Sequence, residues 1–481
     1  MPKLISKIDP VVAKQNAARC KERGIILPTI KQQIYPQTIP EEIKRKLQPI
    51  GLEDLNPLNL FRINWKNDIK TGLFGPPNFL EIPPEISGVK ARIIGLVGKY
   101  FPTGAHKVGA AYGCLAPRLV SGTFDPRIHK AVWPSTGNYC RGGAFDCALL
   151  ACPAVAILPE EMSQERFDWL KEIGAEVYAT PGCESNVKEI YDKCAELRQD
   201  PQYVILNQFD EFGNPFWHYH VTGNAIQEVY DMVKKPSNRL SAYVSATGSA
   251  GTIAAGDYLK KLFPLMKTTA AEAFECPTLL NNGFGGHRIE GIGDKHVPWV
   301  HNVRNTDAVA AIRDEDCLRL LRLFNEEEGH KALIAWGVKE ETVHNLPLLG
   351  ISSICNLLAS IKTAKYFEYN EDDVIFTCFT DAANMYASRI AEQQQLHGPY
   401  NSLQAALDME SCLKAQSYDN FLELSYQDKK RIHNLKYYTW VEQQGKSYEE
   451  ILQQWDPQYW VETFEENLDE LDIAIEEFNA L

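Results

Sequence analysis

The sequence predicts an α/β protein built on a mainly parallel sheet, with an N-terminal extension and a helical, acidic C-terminal extension. Three observations lead there. Between about 76 and 400, short apolar runs alternate with helix-like segments, the pattern of strands joined by crossover helices. Before them, Pro28, Pro36, Pro40, Pro49 and Pro57 interrupt any long helix in residues 1–75. After them, residues 401–481 hold 17 acidic and 6 basic side chains together with twelve aromatics, among them Trp440, Trp455 and Trp460.

Within the body, the apolar runs at 91–97, 154–158, 203–206, 242–245 and 374–378 read as strands. In the tail, Tyr448-Glu449-Glu450-Ile451-Leu452 and the helical spacing of Leu468, Leu471, Ile475 and Phe478 predict amphipathic helices, docked by their apolar faces with the acids solvated. Of a formal charge of −14, the tail carries −11, leaving −3 on residues 1–400. Net acidity excludes a nucleic-acid partner, which needs clustered Lys and Arg. No long uncharged apolar run marks a membrane span, and MPKLISKIDP lacks the apolar core of a secretory signal. The twelve cysteines are scattered without a CxxC spacing. That fits buried thiols in a reducing cytoplasm, and neither a disulfide scaffold nor a metal site is expected.

Four segments set glycine and small polar residues just after a strand-like run. Ser245-Ala246-Thr247-Gly248-Ser249-Ala250-Gly251-Thr252 leads into the helix-like IAAGDYLKK. A loop free of bulk at a helix start can aim several N–H groups at a phosphate, although glycine also serves such turns sterically. It has neither the GK[ST] of a P-loop nor a GxGxxG. Thr103-Gly104-Ala105-His106-Lys107-Val108-Gly109 places one lysine among small residues at a predicted helix start. Desolvation lowers a lysine's pKa and suits it to imine formation with a carbonyl; a solvated lysine at a helix start is the alternative. Ser135-Thr136-Gly137-Asn138 offers hydroxyl, amide and backbone donors to a carboxylate, or an N-cap cluster to its own helix. Gly350-Ile351-Ser352-Ser353 opens a helix running to Lys365, where a serine hydroxyl can bond a ring nitrogen or cap the helix. Open α/β sheets bind ligands at the C-terminal ends of their strands. Together the four segments suit a phosphorylated aldehyde cofactor held through a lysine.

In that order these segments resemble the pyridoxal-phosphate enzymes of the tryptophan synthase β-like fold (fold type II). The nearest branch is that of cysteine synthase (O-acetylserine sulfhydrylase) and cystathionine β-synthase, and the likeness runs over about residues 78–390. Leu158-Pro159-Glu160-Glu161-Met162-Ser163-Gln164-Glu165-Arg166 is similar to its PExMSxER segment. Asn207-Gln208-Phe209, with His218, Thr222 and Gly223, resembles its QQF…H…TG stretch. His287-Arg288-Ile289-Glu290-Gly291-Ile292-Gly293 looks like its HxIxGIG loop.

The resemblance implies pyridoxal 5'-phosphate as cofactor, a homodimer, and two three-layer α/β/α subdomains. The mobile small one would span about 99–213, and the large one 76–98 and 214–400. By position, Lys107 would form the internal aldimine and Asn138 would bond the cofactor's phenolic oxygen. Gly248, Ser249, Ala250, Gly251 and Thr252 would cradle the phosphate. Ser352 would face the pyridine nitrogen, or Ser353 if the register slips by one. Ser135, Thr136, Gly137 and Gln208 would hold the substrate carboxylate. The stretch 103–107 is closer to the TGxHK of tryptophan synthase β chains, which puts His106 at the phosphate; a helix-surface histidine is the alternative.

The implied activity is β-replacement on a small-molecule substrate, a serine-type amino acid such as O-acetylserine or serine. Lys107 is freed as a base near Cα, a leaving group departs from Cβ to give an aminoacrylate, and a thiol adds. A serine instead of a carboxylate at the ring nitrogen leaves that nitrogen unprotonated and favours β-chemistry over transamination. The alternative is β-elimination, as in a cysteine desulfhydrase or a serine/threonine-type ammonia-lyase; a non-catalytic scaffold role is opposed by the intact Lys107. Two departures bear on specificity. Tyr139-Cys140 stands where the branch's TSGNTG has Thr-Gly, and residues 332–349 look inserted, with a place near the mouth of the site expected for them.

Overall fold

The computed structural model describes residues 2–135, 137–182, 186–292 and 295–481. Apart from a small antiparallel pair in the N-terminal extension, Asn67–Asp68 with Leu73–Phe74, its strands form two sheets and are Phe79–Ile82 (β1), Arg92–Val97 (β2), Lys130–Pro134 (β3), Ala154–Pro159 (β4), Glu176–Thr180 (β5), Tyr203–Ile205 (β6), Arg239–Ala246 (β7), Lys267–Ala273 (β8), Ala308–Ile312 (β9), Asp373–Phe379 (β10) and Phe421–Glu423 (β11). One sheet runs β5-β4-β3-β6 and is parallel throughout. The other runs β11-β9-β8-β7-β10-β2-β1, with five parallel central strands and an antiparallel strand at each edge. Central strands such as β9 and β10 are buried along their whole length. Parallel strands buried on both faces need no polar side, hence the wholly apolar β9; β10 also buries Asp373 and Thr377, each of them hydrogen-bonded.

The helices that carry or brace the site are Lys107–Ser121 (α1), Asn138–Leu149 (α2), Gln164–Glu172 (α3), Ala255–Leu262 (α4), Ile351–Tyr366 (α5), Tyr426–Lys436 (α6) and Pro457–Ala480 (α7). Lys107 and Asn138 are each the first residue of their helix. The register of β2 against β10 sets Val97 opposite Phe379, so the loops that follow these two strands emerge side by side.

The tail is mainly helical but not wholly so, because β11 comes from it and pairs with β9. On α7, Leu471, Ile475 and Phe478 are buried, the stripe their spacing predicts. What they dock on includes the other extension. Asp472 accepts from the N–H groups of Ile30 (2.6 Å) and Lys31 (3.1 Å), and Asn479 pairs with the backbone of Leu27. The N-terminal extension in turn rests on α1, through Tyr112 Oη donating to Pro28 O (2.6 Å) and Asp9 N donating to Ser121 O (2.8 Å).

The inserted stretch is not at the site mouth. It contains the helix Glu340–Asn345 and sends Val343, Leu346 and Leu349 into the core of the large sheet's helical layer, and none of its residues lines the cleft described below. Apolar side chains at that spacing find more burial beneath the sheet's helices than at a wet rim. Among the described residues, no single helix is long and apolar enough to cross a membrane.

Candidate active site

One cleft at the C-terminal ends of β2, β3, β7 and β10 collects most of the residues singled out above. His106, Lys107, Ser135, Asn138, Gln208 and residues 248–252 line it. Gly137 and Ser352 stand directly behind the lining, and Thr136 lies outside the described residues.

Lys107 Nζ donates to Ser249 Oγ (2.7 Å) and to Gln208 Oε1 (3.4 Å), and no carboxylate pairs with it among the described residues. Burial therefore acts unopposed by an ion pair and pushes its pKa down to about 8. His106 does not reach solvent. Its Nε2 lies 2.8 Å from Thr252 Oγ1, and burial, with Lys107 beside it, lowers its pKa to about 3, so the imidazole is neutral. Trp65 from the N-terminal extension backs this wall, with its ring 5.6 Å from that of His106 and its Nε1 donating to Thr222 Oγ1 (3.0 Å).

The loop after β7 has the form of an anion nest. Among the described residues, no protein acceptor takes the backbone N–H of Gly248, Ser249, Ala250 or Gly251. Ala250 sits at φ +56°, the alternation of backbone conformation that turns successive N–H groups to one side. Ser249 Oγ accepts from Lys107 and from Asn214 Nδ2 (3.1 Å), which leaves its own hydrogen for a ligand. A Cβ on Gly251 would stand 1.9 Å from Asn214 Oδ1. Unclaimed N–H groups, a hydroxyl hydrogen and a desolvated amine match a phosphate joined to an aldehyde, so these residues fit pyridoxal phosphate.

The loop after β3 faces the nest. Ser135 Oγ accepts from Gly137 N (3.1 Å) and from Gln208 Nε2 (3.2 Å). Gly137 has φ +158°, and a Cβ there would lie 1.6 Å from Arg166 Nη1, so the buried Arg166 guanidinium packs against this loop where only glycine leaves room. Tyr139 lines the cleft with its ring folded inward, edge-on to Trp133 at 5.3 Å.

The far wall separates the two serines of 350–353. Ser352 Oγ pairs with Thr380 Oγ1 (2.6 Å), and Thr380 lines the cleft; Ser353 Oγ donates to the Asp381 backbone oxygen (3.1 Å) and faces away. Sequence reasoning passed over Thr380, Asp381 and Asn356. Asn356 Oδ1 accepts from Ala246 N (2.8 Å) and so pins the start of the nest. Thr380-Asp381 directly follows β10, and placement after a strand, which holds in the structure for three of the four segments but not for 350–353, where the turn Leu346–Leu348 precedes, could have flagged it.

The family model of the pyridoxal-phosphate dependent enzymes matches residues 99–333. The probable cysteine synthase of Bacillus subtilis is 31% identical over 289 residues, covering 60% of this chain and 85% of that protein. The cystathionine beta-synthase of Saccharomyces cerevisiae is 28% identical over 323 residues, covering 65% and 60% respectively. Among solved structures, the O-acetylserine sulfhydrylase isoform 3 of Entamoeba histolytica matches with a TM-score of 0.57 at 23% identity, over 70% of this chain and 93% of that one, a likeness of fold. The match to nearly the full length of the Bacillus protein goes with a cleft suited to the cofactor, and the chain belongs to the pyridoxal-phosphate dependent enzymes of fold type II, on their cysteine synthase and cystathionine β-synthase side.

Proposed function

We propose that the protein catalyses β-replacement on a serine-type amino acid such as O-acetylserine or serine, adding a thiol or related nucleophile. One observation carries the reading. The cleft joins a desolvated amine to an anion nest, and its far wall presents the Thr380 hydroxyl, paired with that of Ser352 directly behind it, while the neighbouring carboxylate of Asp381 is taken up by Asn138 and Tyr386.

When bound, pyridoxal phosphate supplies an electrophilic carbonyl carbon and a conjugated ring that takes up charge from the substrate's Cα. The chain's own groups do the rest. The N–H groups of 248–251 with the Ser249 and Thr252 hydroxyls would hold the phosphate, Asn138 would serve the phenolic oxygen, and Ser352 would serve the ring nitrogen. A hydroxyl is too weak an acid to protonate that nitrogen, which restrains transamination. Ser135, Gly137 and Gln208, with Thr136, hold the substrate carboxylate. Lys107 Nζ, with its pKa near 8, is partly unprotonated at mildly alkaline pH. As a free amine the same atom would be a nucleophile toward the cofactor's carbonyl carbon and a base placed to take a proton from the substrate's Cα. The neutral His106 adds no charge and holds the Thr252 hydroxyl in place.

The subdomain division follows the same reading. A small mobile unit of about 99–213, supported by a four-stranded sheet that lies between Lys130 and Ile205, closes on a large unit of 76–98 and 214–400. A cytoplasmic homodimer accords with the branch and with cysteines that are buried wherever they are described. Spectral titration of the loaded protein with serine, O-acetylserine, cysteine and threonine tests the proposal. Consumption of O-acetylserine with cysteine formed only on adding sulfide supports replacement, whereas pyruvate released without a thiol replaces it with β-elimination. Visible cofactor absorbance retained in Lys107→Ala would defeat the lysine assignment.

A further inference from the structure

Asp381 is fully buried beside the cleft and makes an asymmetric set of contacts. Oδ2 accepts from Asn138 Nδ2 and from Tyr386 Oη, both at 2.7 Å, while Oδ1 has no partner among the described residues. Its backbone is held by Gly350 N (2.9 Å) and Ser353 Oγ (3.1 Å), both donating to its carbonyl. A Cβ on Gly350 would stand 2.0 Å from Asp381 Oδ1, so the glycine and second serine of 350–353 are spent on seating this carboxylate. Beyond it, Tyr386 Oη also receives Arg166 Nη2 (3.2 Å), and Arg166 pairs with Glu290 (3.3 Å). The chain of contacts thus runs from the Glu290 loop through α3 to the first residue of α2.

An asparagine amide is nearly symmetric in shape, so sterics alone do not decide whether its oxygen or its nitrogen faces a ligand. Burial raises the pKa of Asp381, and the hydrogen bonds from Tyr386 and Asn138 and the charge of Arg166 oppose that rise; as a carboxylate it accepts and cannot donate, so it selects the nitrogen. Asn138 Oδ1 is buried without a partner among the described residues, which agrees with an amide held from its nitrogen end. We propose that Asp381 is a positioning residue that fixes the amide of Asn138, so that the second Nδ2 hydrogen serves the phenolic oxygen of the cofactor, with Tyr386 and Arg166 tying that setting to the small subdomain. The inference rests on the cofactor role proposed above for Asn138.

The test is cofactor binding and spectrum, independent of turnover. In Asp381→Asn the amide can turn either way. Pyridoxal phosphate should bind roughly tenfold more weakly, the scale of one charge-assisted hydrogen bond. The ratio of visible to near-ultraviolet absorbance of the loaded protein should fall. Tyr386→Phe should move both readouts the same way by a smaller factor, and it carries the test if Asp381→Asn fails to fold. Asn138→Ala should reproduce the spectral change, and adding Asp381→Asn to it should change nothing more. Unchanged affinity and band ratio in Asp381→Asn and Tyr386→Phe, or additive effects in the double variant, would overturn the inference. Lys107→Ala separates the two levels. If that variant keeps the visible band, the cofactor reading fails; if it loses the band while Asp381→Asn behaves as wild type, only the role of Asp381 fails.

Discussion

Gly251→Ala is the sharpest probe of the nest. The backbone there is right-handed, at φ −71°, so alanine is conformationally acceptable and only space is lacking. The added Cβ would stand 1.9 Å from Asn214 Oδ1 and 2.5 Å from its Cγ. Asn214 is fully buried and donates to Gln208 O (2.8 Å) and Ser249 Oγ (3.1 Å), so it cannot swing aside without dropping both. Overpacking of this kind costs about 1–3 kcal/mol, and a stranded buried partner a further 1–3 kcal/mol. Both groups left behind belong to the cleft, so a share of about 3 kcal/mol should appear as cofactor binding weakened by roughly a hundredfold. Titration of the apoprotein with pyridoxal phosphate reads the affinity, and a thermal melt reads the remainder. In Asn214→Ala the clash has nothing to strike, so Gly251→Ala on that background should add little. An affinity within twofold of wild type and an unmoved Tm in the single variant would refute the reasoning.

Two further outcomes follow from the extensions. Lys436 is buried, with its Nζ donating to Trp299 O (2.9 Å), His301 O (2.7 Å) and Gln454 Oε1 (2.8 Å). Lys436→Met strands three acceptors and should lower Tm by about 5 °C or more, while a shift of under about 1 °C would mean the strut is dispensable. Asp472, raised by burial from 3.8 to about 6, binds its proton more tightly folded than unfolded. Its contribution is therefore present in full only well below the unfolded value of 3.8 and is lost as pH rises through 6, and the stability of wild type minus Asp472→Asn should fall by about 2 kcal/mol between pH 4 and pH 6. Chemical denaturation at pH 4, 5 and 6 measures it; a flat difference would remove Asp472 as the source.

The legibility of the molecule divides by the reach of the physics. The lysine loop, the nest and the Ser135 loop were readable because phosphate and carboxylate chemistry demands glycine and small polar residues at strand ends, close together in sequence. Strands β8 and β9, KTTAAEA and AVAAI, were not, since alanine, the best helix former, dominates both and sets a helical signal against the strand preference of threonine, valine and isoleucine. Ser352 and Ser353 could not be told apart, because adjacent helical residues project about 100° apart and only the neighbouring β10 loop says which faces the cleft. Asp381 escaped because an acid after a strand is ordinary; its meaning lies in Asn138, Tyr386 and Gly350, all distant in sequence or contributed by other elements. The amphipathic faces of the tail were visible, but what they would cover was not.

The three residues of β11 close the large sheet with chain drawn from beyond the body. A row of free N–H and C=O groups along a strand edge is a template for pairing with another molecule. Here the five-residue β9, wholly apolar, would otherwise be that template. The tail puts in its place a short strand whose terminal Glu423 is paired with Lys267 (3.1 Å). The acidic extension thus doubles as protection against edge-to-edge aggregation, and its value to the protein extends to every copy that stays in solution.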